Sequence, residues 1–135
     1  MSYLVDSDVV TDWLEGRAYA VQLLASLEDE GLYISLITYG EVYEGIYYSR
    51  NPDASERIFL QFLREIEVLP MSKSIMKRFA RIRGQLRAQG NLITDPDLLI
   101  AVTAIHHELT LVTRNTKHFQ RVPGLLLYQQ LLQSS

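Results

Sequence analysis

The chain has 135 residues, a formal net charge of −3 and no cysteine, and 47% of its residues are apolar. These values exclude a disulfide framework, a thiolate metal site and a largely disordered chain. They predict one globular domain, residues 1–135, with a tail from about residue 129. No apolar run approaches the roughly 20 residues that span a bilayer, and no basic segment precedes the first run. We therefore expect a cytoplasmic protein without a membrane segment or a signal peptide.

In the first half of the chain, short apolar runs alternate with helical patterns. The run "YLVD" predicts a strand, and the spacing of apolar residues predicts helices over residues 8–14 and 19–27. The run "LYISL" predicts a second strand, with Thr38 as the N-cap of the next helix. Pro52 lies at a position typical of a helix N-terminus and opens the pattern "NPDASERIFLQFLREI".

The second half continues this alternation. The run "EVLPM" predicts a strand, and an apolar stripe from Ser74 predicts an amphipathic helix that ends at Gly90. The stretch "TDPDLLIAVTAIHHE" predicts a helix with Asp95 as N-cap, "LTLVT" a strand, "NTKHF" a turn and "LLLY" a last strand. The pattern indicates an α/β domain on a mostly parallel sheet, where functional residues gather at the carboxyl ends of the strands.

Two aspartates directly follow the first predicted strand. A carboxylate at the end of a buried strand loses hydration, which costs free energy unless another group compensates it. Asp8 is equally well explained as the N-cap of the helix over residues 8–14. Asp6 lies too early to cap that helix comfortably, so we favour a functional role for it.

Glu41 has two explanations of equal weight. The stretch "TYGE" fits a capping box, in which Thr38 caps the helix and Glu41 reaches back to the backbone. The same stretch places Glu41 one turn beyond the second strand, on the sheet edge where Asp6 lies.

Asp97, Thr113 and Asn115 are predicted to lie at the same edge. Asp95 already satisfies the amino end of its helix as a cap, so a second acid, Asp97, in the same turn calls for another explanation. Thr113 and Asn115 follow a predicted strand, and a simple turn is their alternative.

Clustered carboxylates of this kind need a cation. Three carboxylates about 5 Å apart repel by roughly 3 kcal/mol per pair at an effective dielectric constant near 20. An all-oxygen set with few carboxylates suits Mg²⁺ or Mn²⁺, which retain several waters. The sequence therefore predicts a metal site that activates water and stabilises charge on a phosphate.

These residues resemble the PIN-domain family, specifically the VapC-type toxins of toxin–antitoxin pairs. The stretch "YLVDSDVV" resembles the opening aspartate motif of that family, and "ISLITYGEVYEGI" resembles its glutamate helix. The stretch "DPDLLIAVTAIHHELTLVTRNTKHF" resembles its third acid, fourth strand and closing turn, and is the most specific of the three. The resemblance runs from about Tyr3 to Tyr128.

The resemblance implies a three-layer α/β/α fold and a metal-dependent ribonuclease. Asp6, Glu41 and Asp97 match the three acids that coordinate Mg²⁺ or Mn²⁺ in the family. Metal held by Asp6 and Asp97, assisted by Glu41, would orient and deprotonate water for in-line attack on an RNA phosphodiester. The products would carry a 5′-phosphate and a 3′-hydroxyl.

The chain departs from the fullest family pattern at three positions. Asn115, with Thr113 beside it, matches a position where many relatives hold a fourth acid, so the resemblance implies weaker binding of a second metal, or none. Asp8 stands where the family most often has asparagine, and its carboxylate supplies extra negative charge. His118 replaces a residue that is often acidic.

The resemblance also implies three partners. They are an RNA substrate (for example a structured RNA such as tRNA), an antitoxin protein, and a second copy of the chain in a homodimer. Candidate contacts to the RNA backbone are basic residues, mostly on the basic helix from Lys73 to Arg87: Lys73, Lys77, Arg81 and Arg114. A solvated helix face explains most of them equally well. Four tyrosines on one helix are candidates for an interface or for the core: Tyr39, Tyr43, Tyr47 and Tyr48.

Two alternative functions remain open on the sequence. The stretch "VDSDVV" also resembles the loop of haloacid-dehalogenase-type phosphatases, in which Asp6 would be a nucleophile, but the paired-acid motif of that family is missing. A catalytically dead PIN-like binding module is the other alternative, because the fourth acid is absent.

Overall fold

A computed structural model of the chain describes residues 1–129. Of the tail predicted from about residue 129, only Gln129 is among the described residues, and the rest lies outside them. The described residues form an α/β domain around a five-stranded sheet whose paired strands are all parallel. The strands are β1 (Tyr3–Val5), β2 (Leu32–Ser35), β3 (Glu67–Leu69), β4 (Thr110–Val112) and β5 (Leu126–Leu127).

Helices connect these strands in the alternation that the sequence predicts. The helices are α1 (Ser7–Leu14), α2 (Ala18–Leu27), α3 (Leu36–Tyr47), α4 (Pro52–Phe62), α5 (Lys73–Ala88), α6 (Asp95–His106) and α7 (Thr116–Phe119). A 3₁₀ turn, Glu28–Glu30, follows α2. Gly90 has a φ of +70° just beyond α5, which is the left-handed conformation that ends many helices, so this predicted stop is confirmed.

The helices cover both faces of the sheet, which confirms the three-layer architecture. Alternate residues of a strand point to opposite faces, and the core is divided accordingly. Val5 packs with the apolar residues of α1 to α4, whereas Leu4 packs with those of α5 and α6. Both strand residues are fully buried, as expected for a sheet covered on two sides.

The strand order is β3-β2-β1-β4-β5. The chain therefore runs outward from β1 through β2 to β3, and then returns to the other side of β1 for β4 and β5. In parallel sheets, the point where the winding reverses, here between β1 and β4, is where a crevice forms at the carboxyl ends of the strands. Because Val5 pairs with Val112, the residues that follow them, Asp6 and Thr113, enter this crevice side by side.

Three predicted N-caps are wrong, each placed later in the chain than the observed cap. Asp6, Ser35 and Thr94 occupy the N-cap positions of α1, α3 and α6, where the sequence pointed to Asp8, Thr38 and Asp95. In α1 and α3, the helix begins directly at the end of the strand without an intervening loop. The later residue of each pair therefore lies inside the first turn.

One turn prediction is also wrong. The stretch "NTKHF" contains the short helix α7, anchored by the buried side chains of Thr116 and Phe119. Within residues 1–129, no helix is long and apolar enough to span a membrane.

Candidate metal and RNA-cleavage site

Asp6 lies at the switch point of the sheet and is held there on all sides. Its backbone N–H donates to the Val112 carbonyl at 2.9 Å, which ties β1 to β4 at their carboxyl ends. Its Oδ1 accepts a hydrogen bond from the Ser7 backbone N–H at 2.8 Å, and its Oδ2 accepts one from the Thr113 hydroxyl at 2.7 Å. The carboxylate is therefore fixed in position by the start of α1 and by the end of β4.

The surroundings of Asp6 oppose its negative charge. The residue is only 6% exposed. Burial, followed by the negative charge of Asp8, raises the pKa of Asp6 to about 7, and the charge of Asp97 adds to this effect. The hydrogen bonds from Thr113 and Ser7 lower the pKa, each by less than burial or the charge of Asp8 raises it but by more than the charge of Asp97 does. A nearby cation would remove this electrostatic cost.

Asp97 lies in the first turn of α6, within the electrostatic reach of Asp6. Its Oδ2 is 3.1 Å from Nε2 of His118, which α7 delivers to the same place. Although this distance is short, Nε2 of His118 is buried and makes no hydrogen bond. The Asp97–His118 pair therefore brings a buried nitrogen within ion-pair distance of a carboxylate oxygen, without the geometry of a hydrogen bond.

Glu41 reaches the site through Ser7. It lies in the second turn of α3, too far along the helix for a capping box, because Ser35 is the N-cap and accepts from the Thr38 N–H. The capping-box explanation of Glu41 is therefore wrong. Its Oε1 instead accepts a hydrogen bond from the Ser7 hydroxyl at 2.5 Å.

Asp8 holds the loop that follows β4. Its Oδ1 accepts from the Val9 N–H at 2.7 Å, and its Oδ2 accepts from the Arg114 N–H at 3.0 Å. Burial is the largest influence on Asp8 and raises its pKa, while these two hydrogen bonds lower it. Asp8 thus links α1 to the segment that carries Thr113 and Asn115.

The Arg114 side chain is held by a second acid. Its Nη1 lies 3.1 Å from Oδ2 of the buried Asp12, and its guanidinium group lies 5.9 Å from the centre of the Tyr19 ring. Tyr19 donates its hydroxyl to the same carboxylate, and Arg17 lies 3.1 Å from the other oxygen. With 56% of its side chain exposed, Arg114 still presents positive charge to solvent near the site.

Asn115 contributes its backbone to the site. Its N–H donates to the Thr113 hydroxyl at 3.1 Å, and the same hydroxyl donates to Asp6. Asn115 also occupies the N-cap position of α7, where its side chain makes no capping hydrogen bond. Its exposed amide is therefore available to a ligand.

The basic residues of α5 fall into two groups. Lys73, Lys77 and Arg81 are exposed on the side of α5 opposite its buried face. Arg83 instead makes an ion pair of 2.8 Å with Asp95, which draws one edge of α5 to the amino end of α6.

The chemistry of the donor atoms fits a divalent cation, although the three predicted acids, Asp6, Glu41 and Asp97, do not surround one point. Among residues 1–129, no three acidic or histidine side chains lie in an arrangement that holds an ion. The buried Asp6 carboxylate, the neighbouring Asp97 and the unbonded His118 nitrogen nevertheless supply ligands that such an ion prefers. Asp6, Glu41 and Asp97 as a shared ligand set therefore stay a prediction.

Comparison with known proteins decides the family. Residues 3–125 match the PIN domain. A "Ribonuclease VapC1" of Methanocaldococcus jannaschii is 35% identical over 129 residues, which is 94% of this chain and 87% of that protein. The chain belongs to the PIN-domain family, as a VapC-type member. A second relative, the "tRNA(fMet)-specific endonuclease VapC" of Shigella flexneri, is 26% identical over 93% of this chain and 95% of that protein.

Solved structures of VapC-type PIN domains share the fold. VapBC2 from Rickettsia felis, bound to a DNA fragment from its promoter, superposes with a TM-score of 0.88 at 28% identity. The match covers 95% of this chain and 98% of that chain. VapBC-1 from nontypeable Haemophilus influenzae gives a TM-score of 0.84 at 27% identity, over 95% and 97% of the two chains.

Sequence reasoning missed two residues of this PIN domain, Ser7 and Asp12. Ser7 joins Glu41 to the first helix, and no sequence pattern indicates a contact across 34 positions. The sequence could have indicated Asp12, because its spacing from Val9 places it on the apolar side of α1. That side packs into the core. A carboxylate at such a position calls for a buried partner.

Proposed function

We propose that this PIN domain is a metal-dependent endoribonuclease, the toxin of a toxin–antitoxin pair, which hydrolyses RNA phosphodiester bonds. The observation that carries the proposal is the buried Asp6 carboxylate, whose pKa is raised to about 7 by burial and by its acidic neighbours. Perturbed carboxyl groups in a crevice at a switch point are typical of functional sites. The names of the relatives describe ribonucleases and, in one case, a tRNA endonuclease.

The cofactor in this proposal is Mg²⁺ or Mn²⁺, held by Asp6 and Asp97 with help from Glu41. When bound, the cation supplies positive charge that activates a water molecule and stabilises the negative charge of the phosphate in the transition state. Thr113 and Ser7 keep the Asp6 carboxylate in one orientation through their hydrogen bonds. In-line attack by water leaves a 5′-phosphate and a 3′-hydroxyl.

Positive side chains near the site are proposed to hold the RNA backbone. Arg114 is the best placed, because Asp12 and Tyr19 fix its guanidinium group next to the loop that carries Thr113 and Asn115. The exposed amide of Asn115 is a donor and acceptor for the sugar or the phosphate. Lys73, Lys77 and Arg81 would act through general attraction of the phosphates, since they lie on the outer face of α5.

The proposed partners are an antitoxin protein, a structured RNA substrate and a second copy of the chain. The structural relatives named above are VapBC toxin–antitoxin complexes, which supports an antitoxin for this chain. A cytoplasmic location follows from an RNA substrate of this class. The phosphatase alternative depended on resemblance to a different family, and membership of the PIN family removes its basis.

A map of new RNA 5′-phosphate ends tests the proposal. Bacteria briefly express the wild type, Asp97→Asn or Asp95→Asn, and the RNA ends are sequenced. Asp95 is the matched control, because it lies in the same helical turn but pairs with Arg83 at the surface. Discrete new ends with the wild type and Asp95→Asn, and none with Asp97→Asn, are expected. Identical maps from wild type and Asp97→Asn would favour the dead binding module.

A further inference from the structure

His118 carries a buried nitrogen that makes no hydrogen bond within the protein, although it lies 3.1 Å from a carboxylate oxygen of Asp97. Among the side chains that the structure describes within residues 1–129, Nε2 of His118 is the only buried nitrogen or oxygen atom without a hydrogen-bond partner. Leaving a buried polar atom without a hydrogen-bond partner costs free energy. At a candidate active site, a bound ligand would remove that cost.

The position of His118 is determined by α7, whose buried residues anchor the helix in the core. The neighbouring Phe119 is almost fully buried in the core between the sheet and the α5–α6 layer, and Thr116 is buried one turn earlier. The His118 ring also contacts the Phe119 ring edge to face, with 5.6 Å between their centres. These anchors direct Nε2 towards Asp97.

The distance between Nε2 of His118 and Oδ2 of Asp97 fits two ligands of one ion. Two atoms that each lie about 2.1 Å from a cation, at right angles, are about 3.0 Å apart. At a tetrahedral angle, the same atoms are about 3.4 Å apart. The observed distance is 3.1 Å, without the alignment of a hydrogen bond. It matches adjacent positions of an octahedral site.

We propose that His118 binds the divalent cation through Nε2, beside Asp97, and gives this site a mixed nitrogen and oxygen ligand set. The inference rests on the proposed function, which supplies the cation. An imidazole ligand favours transition metals over Mg²⁺, because nitrogen is a softer donor than a carboxylate oxygen. The site therefore discriminates for Mn²⁺ against Mg²⁺ more strongly than an all-carboxylate site.

Pulsed electron paramagnetic resonance of bound Mn²⁺ tests this ligand directly. The sample is the tag-free chain with one equivalent of Mn²⁺, because a histidine tag would add its own nitrogen signal. The wild type is expected to show ¹⁴N modulation from a coordinated imidazole. The modulation is lost in His118→Ala and retained in His106→Ala, a histidine at the opposite end of α6.

A second variant keeps the test informative if His118→Ala folds poorly. His118→Glu replaces the nitrogen with oxygen and is expected to bind Mn²⁺ without ¹⁴N modulation. Calorimetric titrations are expected to show that the ratio of Mg²⁺ to Mn²⁺ dissociation constants falls about tenfold in this variant relative to the wild type. His118→Ala is expected to bind Mn²⁺ about tenfold more weakly.

The outcomes separate this inference from the proposed function. Stoichiometric Mn²⁺ binding that Asp97→Asn abolishes, but without ¹⁴N modulation in the wild type, would overturn the role of His118 and leave the metal site intact. Tighter Mn²⁺ binding by His118→Ala would also overturn it, because His118 would then be a cationic partner of Asp97. Failure of the wild type to bind Mn²⁺ would overturn both.

Discussion

At the scale of single residues, Asp6 combines a structural cost with a proposed functional use. The folded protein raises the pKa of Asp6 to about 7, whereas an unfolded aspartate titrates near pH 3.9. The protonated form is therefore favoured by folding. The stability that protonation contributes is fully present below about pH 4 and is lost as the pH rises through about 7.

This linkage predicts that Asp6→Asn stabilises the metal-free protein at pH 8. Each pKa unit corresponds to about 1.4 kcal/mol, and a weakened hydrogen-bond set offsets part of the gain. We expect the free energy of unfolding at pH 8 to rise by about 1–3 kcal/mol, with no gain at pH 4. Urea unfolding with a chelator present measures both values. A loss of stability at pH 8 would contradict the electrostatic cost assigned to Asp6.

Thr113 is predicted to matter for metal binding because it orients Asp6. Thr113→Val keeps the shape of the side chain but removes the hydrogen bond to Asp6 Oδ2 and the acceptor for the Asn115 N–H. We expect the affinity for Mn²⁺ to fall about 10–100-fold, measured by calorimetric titration. Thr103→Val is the control, since the Thr103 hydroxyl bonds only within α6. Equal losses in both variants would point to general destabilisation.

At the scale of elements, the sequence predicted the order of strands and helices but placed several helix starts late. Each start offers two residues that can cap a helix: Asp6 and Asp8, Ser35 and Thr38, Thr94 and Asp95. Local preference does not distinguish them, because both members of each pair have suitable side chains. In α1 and α3, the earlier one caps the helix because the strand leads directly into it.

A comparison of Ser72 and Ser74 tests capping in α5, where the apolar stripe alone suggested a start at Ser74. The Ser72 hydroxyl accepts the Ile75 N–H at 3.1 Å, which makes Ser72 the N-cap. We expect Ser72→Ala to lower the free energy of unfolding by about 1 kcal/mol. Ser74→Ala lies on the exposed first turn and is expected to be neutral or slightly stabilising. Thermal or urea unfolding of the two variants decides between these positions.

The short helix α7 was missed for a different reason. Four residues are too few to show a helical period, and "NTKHF" contains residues common in turns. The helix forms because Thr116 and Phe119 bury their side chains against the rest of the domain. Tertiary packing, which the local sequence does not contain, thus decides where His118 lies.

At the scale of the whole molecule, the parallel sheet explains how distant residues meet. Asp6 and Thr113 are 107 positions apart, yet they follow neighbouring strands whose ends are in register. The sequence therefore predicted which sheet edge carries the polar residues. It did not predict contacts made by side chains of neighbouring helices, such as Ser7 with Glu41, because these depend on how the helices pack.

Cation binding at this edge is predicted to stabilise the entire domain. An ion that binds the folded state alone adds about 2.7 kcal/mol to the free energy of unfolding at 100 times its dissociation constant. We expect Mn²⁺ to raise the midpoint of thermal unfolding in the wild type, with a much smaller rise in Asp97→Asn. Chelator reverses the effect. An equal rise in both proteins would indicate binding elsewhere.

The most direct measurement is cleavage of total bacterial small RNA by the purified protein, with identification of the chemical ends. The predicted result is a set of discrete fragments with 5′-phosphate ends in the presence of Mn²⁺. Chelator, Asp6→Asn and Asp97→Asn should each abolish these fragments, and Asp95→Asn should leave them unchanged. Fragments with cyclic phosphate ends, or fragments that persist in Asp97→Asn, would contradict hydrolysis by water at this carboxylate site.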